Sequence, residues 1–191
     1  MPAASFDIFC RVIDNLGDAG VCWRLARQLA AMGHATRLWI DDAAALARIA
    51  PAVRAEASMQ TVDGVAIGRW PESAIDITPH AVVIEAFACS PPDWFVARMV
   101  RNHCLWINLE YLSAEPWVES CHGLPSPQAN GLRKTFFFPG FTTGTGGLLR
   151  EPGLIERREA CMTRDRRTRL ADLLGQTFED LSRSTRIVFV F

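Results

Sequence analysis

The strongest constraint on the fold is a recurring alternation: continuous apolar, β-rich runs are separated by stretches with helical spacing. Ser5 to Ile13 reads as a buried first strand, and Ala35 to Ile40, Ala81 to Ala86 and Cys104 to Leu109 repeat the pattern. After the first run, Val21, Leu25, Leu29 and Met32 recur at helical spacing, and Gly33 stands where a helix ends. Ala43 to Ile49 is a second, shorter helix before Pro51. Strands buried on both faces read as unbroken apolar runs rather than as alternations. The predicted architecture is therefore α/β, a Rossmann-like doubly wound parallel sheet with its ligand site at the carboxyl ends of the strands.

The remaining elements carry weaker signals. Val62 to Ile67 and Thr135 to Phe138 read as short strands, Asp93 to Val100 as a helix, Pro116 to Cys121 as one helical turn, and Trp70 to Pro79 as a loop. Arg164 to Leu174 has amphipathic helical spacing, and Ile187 to Phe191 is an apolar strand. That last strand has no partner in sequence, which suggests the start of a second domain. The expected division is a domain over residues 1–160 and the truncated beginning of another over residues 161–191.

Composition removes several classes. Hydrophobic residues make up 49% and charged residues 21%, as in a globular core-forming domain, and the net charge is -1. No global attraction to nucleic acid or to an anionic membrane follows from that charge. No apolar run reaches membrane-spanning length and the N-terminus lacks a basic signal region, so the expectation is a cytoplasmic chain with no membrane partner. Six scattered cysteines with no CxxC pair read as buried reduced thiols. Cys121-His122 alone does not make a zinc site, and no metal is expected.

The loop Asp14-Asn15-Leu16-Gly17-Asp18-Ala19-Gly20 joins the first strand to the first helix, where such a fold presents its site. Two carboxylates four residues apart face the same crevice if the chain turns at Gly17. There they can hold a cation and take up a proton as a bond forms. The structural alternative is that Asp18 caps the helix and Asp14-Asn15 opens the turn. A dinucleotide loop is disfavoured: GxGxxG is absent and the acids sit where a pyrophosphate would lie, although Asp41 could imitate a ribose-binding acid. A glycine-rich stretch, Phe138 to Arg150, reads either as a close-approach loop or as a flexible one. The segment Trp106 to Pro127 gathers Glu110, Tyr111, Glu115, Trp117, Glu119 and His122 after a buried strand. Acids beside aromatics suit a bound guanidinium. Trp106 itself reads as core.

The strings DIFCRVIDNLGDAGVCWRLARQLA, RLWIDD, IEAFAC, WINLEYLSAEPWVESCHGLPSP and FFFPGFTTGTGGLLRE resemble one family, the EarP protein-arginine rhamnosyltransferases that modify bacterial elongation factor P. The resemblance runs from about Phe6 to about Leu154 and is looser beyond. It implies the N-terminal, acceptor-side domain of a GT-B glycosyltransferase. That enzyme moves L-rhamnose from dTDP-β-L-rhamnose to an arginine of elongation factor P, with inversion and without a metal or other cofactor. It also implies that Asp14 and Asp18 are the essential aspartates of the DNxGD loop, with Asp18 as general base. Asn15, Gly17, Glu110, Tyr111 and Glu115 are the candidate substrate-binding residues. Since the family holds its donor mainly in a second domain, the alternative expectation is a truncated, inactive chain that only binds elongation factor P.

Overall fold

The computed structural model describes residues 3–14, 16–163, 168, 169, 171, 172 and 175. It divides into two compact units, Met1–Leu149 and Arg150–Phe191. In the second unit the described element is helix α5 (Leu154–Thr163), which buries none of its residues. The expected helix Arg164 to Leu174 falls largely outside the described residues, and the strand Ile187 to Phe191 lies wholly outside them.

The first unit is a three-layer α/β domain. Its elements in chain order are β1 (Ser5–Cys10), α1 (Gly17–Ala31), β2 (Ala35–Ile40), α2 (Ala43–Ile49), β3 (Met59–Val62), β4 (Val65–Arg69), β5 (Val82–Ala86), α3 (Asp93–Arg101), β6 (Leu105–Leu109), α4 (Val118–Cys121), β7 (Pro125–Pro127) and β8 (Arg133–Phe137). Among the described residues the eight strands form one sheet in the order β3-β4-β2-β1-β5-β6-β8-β7. The chain runs outward from β1 through β2 to β4, then returns to lay β5 on the other side of β1. The strand order reverses between β1 and β5, which is where an open α/β sheet opens a crevice.

The sheet is mixed, which corrects the expectation of a purely parallel one. Six strands from β4 to β8 are parallel neighbours, but β3 pairs antiparallel with β4 and β7 antiparallel with β8. The expected single strand Val62 to Ile67 is the middle of the β3–β4 hairpin, turned at Asp63 (φ 49°) and Gly64 (φ 77°). Two consecutive left-handed residues of Asp-Gly type give a turn whose twist matches the flanking strands. At the other edge, Pro125 and Pro127 lack the N–H groups that another strand would need, so β7 closes the sheet.

Alternation along the strands builds one core on each face. Ile8 and Cys10 point toward α1 and α2, where Ala19, Cys22, Trp23, Ala26 and Leu46 cover them. Phe9 points the other way and packs with Trp39, Val83, Phe95, Met99 and Trp106 beneath α3. Trp106 is thus core, as its sequence position implied. Cys10, Cys22, Cys89 and Cys104 are buried free thiols, Cys121 is half-buried and Cys161 exposed. The Cys22 thiol is pushed well above its ordinary value by its bond with Cys10 and by burial, and Cys89 is pushed up to about 12 by burial, so both stay protonated and unreactive. No helix among the described residues is long and apolar enough to cross a membrane.

Two buried ion pairs lock the strands. Asp7, fully buried, accepts from Arg37 Nε and Nη2 at 2.5 and 2.8 Å, from Trp39 Nε1 at 3.0 Å and from the His80 amide at 2.7 Å. This joins β1, β2 and the segment entering β5. On the same face Lys134 of β8, the only lysine in the chain, reaches over the Trp106 ring of β6 to Glu85 of β5. Burial raises the Glu85 pKa, and the bond from Lys134 opposes that rise.

Removing one partner of the Asp7–Arg37 pair leaves a buried charge uncompensated, so Arg37→Leu is expected to destabilise the domain by about 3–5 kcal/mol. Urea denaturation reads this as a lower midpoint, and a loss below about 1 kcal/mol would contradict a locking role.

Candidate functional site

Parallel register sets the site. Cys10 pairs with Ile40, Ala86 with Leu109, and Leu109 with Phe137, so β1, β5, β6 and β8 end along one edge. The residues that follow, Asp14, Gly17, Asp18, Phe87, Glu110 to Leu112 and Pro139, are therefore neighbours although far apart in sequence. They line a cavity of about 680 Å³ that continues between α1 and the face of β5 and β6 that carries Ile84 and Ile107. Its inner part is apolar, with Leu25, Leu29, Ile84 and Ile107, while Asp14, Asp18, Glu110 and Arg24 supply its charge.

Asp18 is the centre of the polar end. Helix α1 begins at Gly17, four residues earlier than the apolar spacing indicated, because the Gly17 amide turns back onto the Asp14 carbonyl at 2.8 Å. Asp18 thus lies in the first turn and is not the N-cap, which corrects the capping alternative. The N-cap position belongs to Leu16, with no side-chain cap. Asp18 is 1% exposed. Its Oδ2 accepts from the Ile13 and Asp14 amides, both at 2.9 Å, and its Oδ1 from the Tyr111 hydroxyl at 3.0 Å. An ionised carboxylate has about four acceptor positions, so these three donors leave room for one more from a ligand.

Gly17 has a steric reason. A Cβ there would stand 3.2 Å from Asp14 Oδ2, tight enough to displace that carboxylate. Asp14 itself is exposed beside the cavity. Asn15 lies outside the described residues. Asp41, the imitation ribose acid, accepts from the Val12 amide at 2.9 Å and the Asp42 amide at 2.8 Å, so it braces the loop from the β2 side.

The second wall comes from β6 and β8. The Glu110 amide donates to the Phe137 carbonyl at 2.9 Å, and the Glu110 carboxylate accepts from Asn108. Tyr111 lies face to face on Phe87, with ring centroids 4.0 Å apart and planes 7° apart. The Tyr111 phenol is pushed up to about 12 by burial of its hydroxyl end, then by its bond to Asp18 and the charges of Asp18 and Asp14. Glu115 is exposed and is not among the cavity-lining residues, so Asp14, Gly17, Asp18, Glu110 and Tyr111 are brought together without it. His122 accepts from the Phe138 amide at 3.1 Å and Trp117 packs edge-on against Phe138, so both support β8. The glycine-rich stretch folds back on β8: the Gly146 amide donates to the Phe138 carbonyl at 2.8 Å, and a Cβ at Gly146 would strike the Phe137 ring.

Two site residues have no signal in the sequence. Phe87 stands one residue beyond the expected strand Ala81 to Ala86, and Asn108 lies inside the expected strand Cys104 to Leu109. Phe87 (φ 56°) and Ala88 (φ 54°) are left-handed without being glycine. Such strain costs on the order of 1–3 kcal/mol per residue and concentrates at functional sites.

This geometry can be set beside known proteins. A family profile described as "Elongation-Factor P (EF-P) rhamnosyltransferase EarP" matches residues 6–191. The chain belongs to the EarP family. It is similar to the protein-arginine rhamnosyltransferase of Pseudomonas putida (strain KT2440), 57% identical over 159 residues, and to that of Pseudomonas aeruginosa (strain PAO1), 56% identical over 158. A protein-arginine rhamnosyltransferase of Neisseria meningitidis serogroup B is 43% identical over 153 residues. These matches cover 82%, 81% and 78% of this chain but 42%, 42% and 39% of the relatives. The chain thus spans about two fifths of the length of these relatives.

Tyr111 is the only tyrosine in the chain, so tyrosinate absorbance reports on it alone. It is expected to titrate near pH 12 and, in Asp18→Asn, closer to the ordinary value of about 10. A phenol whose folded pKa is raised contributes stability that is fully present below about pH 10 and is lost as pH rises through about 12. An unshifted midpoint in the variant would show that the phenol does not rest on Asp18.

Proposed function

We propose that this chain is the acceptor-binding part of an inverting GT-B glycosyltransferase that moves L-rhamnose from dTDP-β-L-rhamnose to an arginine side chain of elongation factor P. The observation that carries the reading is the buried Asp18 carboxylate, held by two amides and a phenol, at an acid-lined cavity on the carboxyl edge of the sheet. The names of the relatives support arginine as the acceptor.

The chemistry follows from the acceptor. A guanidinium is protonated below about pH 12 and its lone pairs are delocalised, so it is a poor nucleophile. Nearby carboxylates hold it but also favour its charged form. Proton loss therefore accompanies attack rather than preceding it. The attacking nitrogen forms a bond to the anomeric carbon, and the bond from that carbon to the diphosphate oxygen breaks with its electron pair leaving on dTDP. The proton of the attacking nitrogen passes to Asp18. Asp14 and Glu110 hold the remaining N–H groups, with Gly17 leaving room for the Asp14 carboxylate. Positive charge for the departing diphosphate is assigned to the part of the relatives that this chain does not span.

Three outcomes test this. In a complete enzyme carrying this sequence, Asp18→Asn should abolish transfer, read by intact mass of elongation factor P, while the far-ultraviolet dichroism stays unchanged. Near-normal turnover would remove the base role. This chain alone should bind elongation factor P at best at micromolar level, and the double variant Asp14→Ala/Asp18→Ala should lose about 2–5 kcal/mol of that affinity. Equal affinity of both forms would show that the aspartates do not hold the arginine. Calorimetry should find weak or no binding of dTDP-rhamnose to this chain, and micromolar affinity would place donor contacts here.

A further inference from the structure

Phe87 occupies a backbone conformation that glycine adopts freely and bulky residues adopt rarely. The turn that carries it is heavily tied. The Phe87 amide donates to the Leu109 carbonyl at 2.7 Å, the Ala88 amide to Asn108 Oδ1 at 3.1 Å, the Cys89 amide to the Ala86 carbonyl at 3.2 Å, and the Cys89 thiol to the Phe9 carbonyl at 3.3 Å. Two of those acceptors lie on β6, the strand that leads directly into Glu110 and Tyr111. The turn after β5 and the loop after β6 are therefore docked on each other, and the rings of Phe87 and Tyr111 meet face to face as a result. Asn108 serves both sides, since its carbonyl receives the turn while its amide donates to Glu110.

The stack has a direction. Tyr111 is 53% exposed, yet its hydroxyl reaches the buried Asp18 carboxylate. Among the described residues Phe87 is the ring that packs on it. A half-exposed aromatic without such a plate would sample other rotamers into solvent.

We propose that Phe87 is a positioning residue for Asp18, acting through Tyr111: its ring holds the phenol on Oδ1, so that the carboxylate meets the acceptor side chain in one fixed orientation. The inference rests on Asp18 being the acceptor-facing base. It accounts for a bulky residue at a left-handed position, because the plate must stand at the end of β5, directly beside the loop after β6. It also accounts for Asn108, which couples the same turn to the second acid of the cavity.

The test separates this role from plain packing. In this chain, tyrosinate absorbance is read within milliseconds of a pH jump, before alkaline unfolding, with Asp18, Asp14, Cys10 and Glu110 as the titratable groups around the phenol. The wild type should titrate near 12, and Phe87→Leu, which keeps the apolar bulk but not the flat face, should titrate at least one unit lower. Phe87→Trp restores a flat ring and should return the midpoint toward the wild-type value. A wild-type midpoint in Phe87→Leu, or no recovery in Phe87→Trp when both retain native dichroism, would overturn the proposal. If Phe87→Leu does not fold, the comparison of Phe87→Trp with the unbranched Phe87→Met decides it by the same readout. In the complete enzyme, Phe87→Leu should lower kcat about tenfold or more with KM for the acceptor unchanged, the pattern of lost orientation rather than lost binding. A rise in KM alone would mean that Phe87 contacts the acceptor and does not position the base. Should Asp18→Asn retain transfer, the base reading fails, while the tyrosine titration still decides whether Phe87 holds the phenol.

Discussion

The carboxylate of Asp18 joins three pieces of chain at the carboxyl edge of the sheet. One oxygen gathers the Ile13 and Asp14 amides as β1 gives way to α1, and the other takes the phenol that arrives after β6. Without that carboxylate the two amides would be left without a protein partner, and the Tyr111 hydroxyl would have no reason to turn inward. A group used this way is a structural tie and a preorganised acceptor. Its orientation is set before any ligand arrives, which is the condition under which a fixed acceptor contributes most to a transition state. An acidic side chain in the first turn also lies at the favourable end of the helix dipole.

The precision at this edge depends on rigidity elsewhere. The Asp7–Arg37 pair holds β1 against β2 and draws in the segment that enters β5, while Lys134 clamps β8 to Glu85 across β6. Both pairs lie on the α3 face, opposite the cavity. The face that carries the cavity is covered by α1 and α2 over β1, β2 and β4, and is open over β5 and β6. This division follows from the chain's path. Crossovers between parallel strands keep one hand, so helices made while moving outward in one direction fall on one face, and those made after the reversal fall on the other. The open half is the inner part of the cavity.

The long elements are legible in the sequence because their signals are local. Ala35 to Ile40 and Ala43 to Ile49 are the observed β2 and α2, and α3 extends only one residue beyond its expected end. Elements that pairing decides are not legible in this way. The β3–β4 hairpin reads in sequence as one strand although Asp63-Gly64 marks its turn, and β7 gives no strand signal because Pro-Ser-Pro has no strand propensity and becomes a strand only by lying against β8. At the site, Asp14, Gly17, Asp18, Glu110 and Tyr111 were found from loops that follow apolar runs, and the family resemblance supplied their suggested roles. Glu115 was grouped with them by proximity in sequence, but the cavity does not include it.

By itself, then, the sequence determined the α/β class, the place of the first βα loop and the acidic character of the site. Those follow from apolar runs, helical spacing and the residues between them, which are properties of adjacent positions. Only the tertiary structure decided that Asp18 is a buried acceptor rather than a helix cap, that Tyr111 reaches it, and that Phe87 stands beneath Tyr111 on a strained turn. Each of those depends on strands separated in sequence being placed side by side in one register. No local pattern encodes which loop ends meet across a sheet, because the meeting is set by strand order and by hydrogen bonds between segments that are neighbours only after folding.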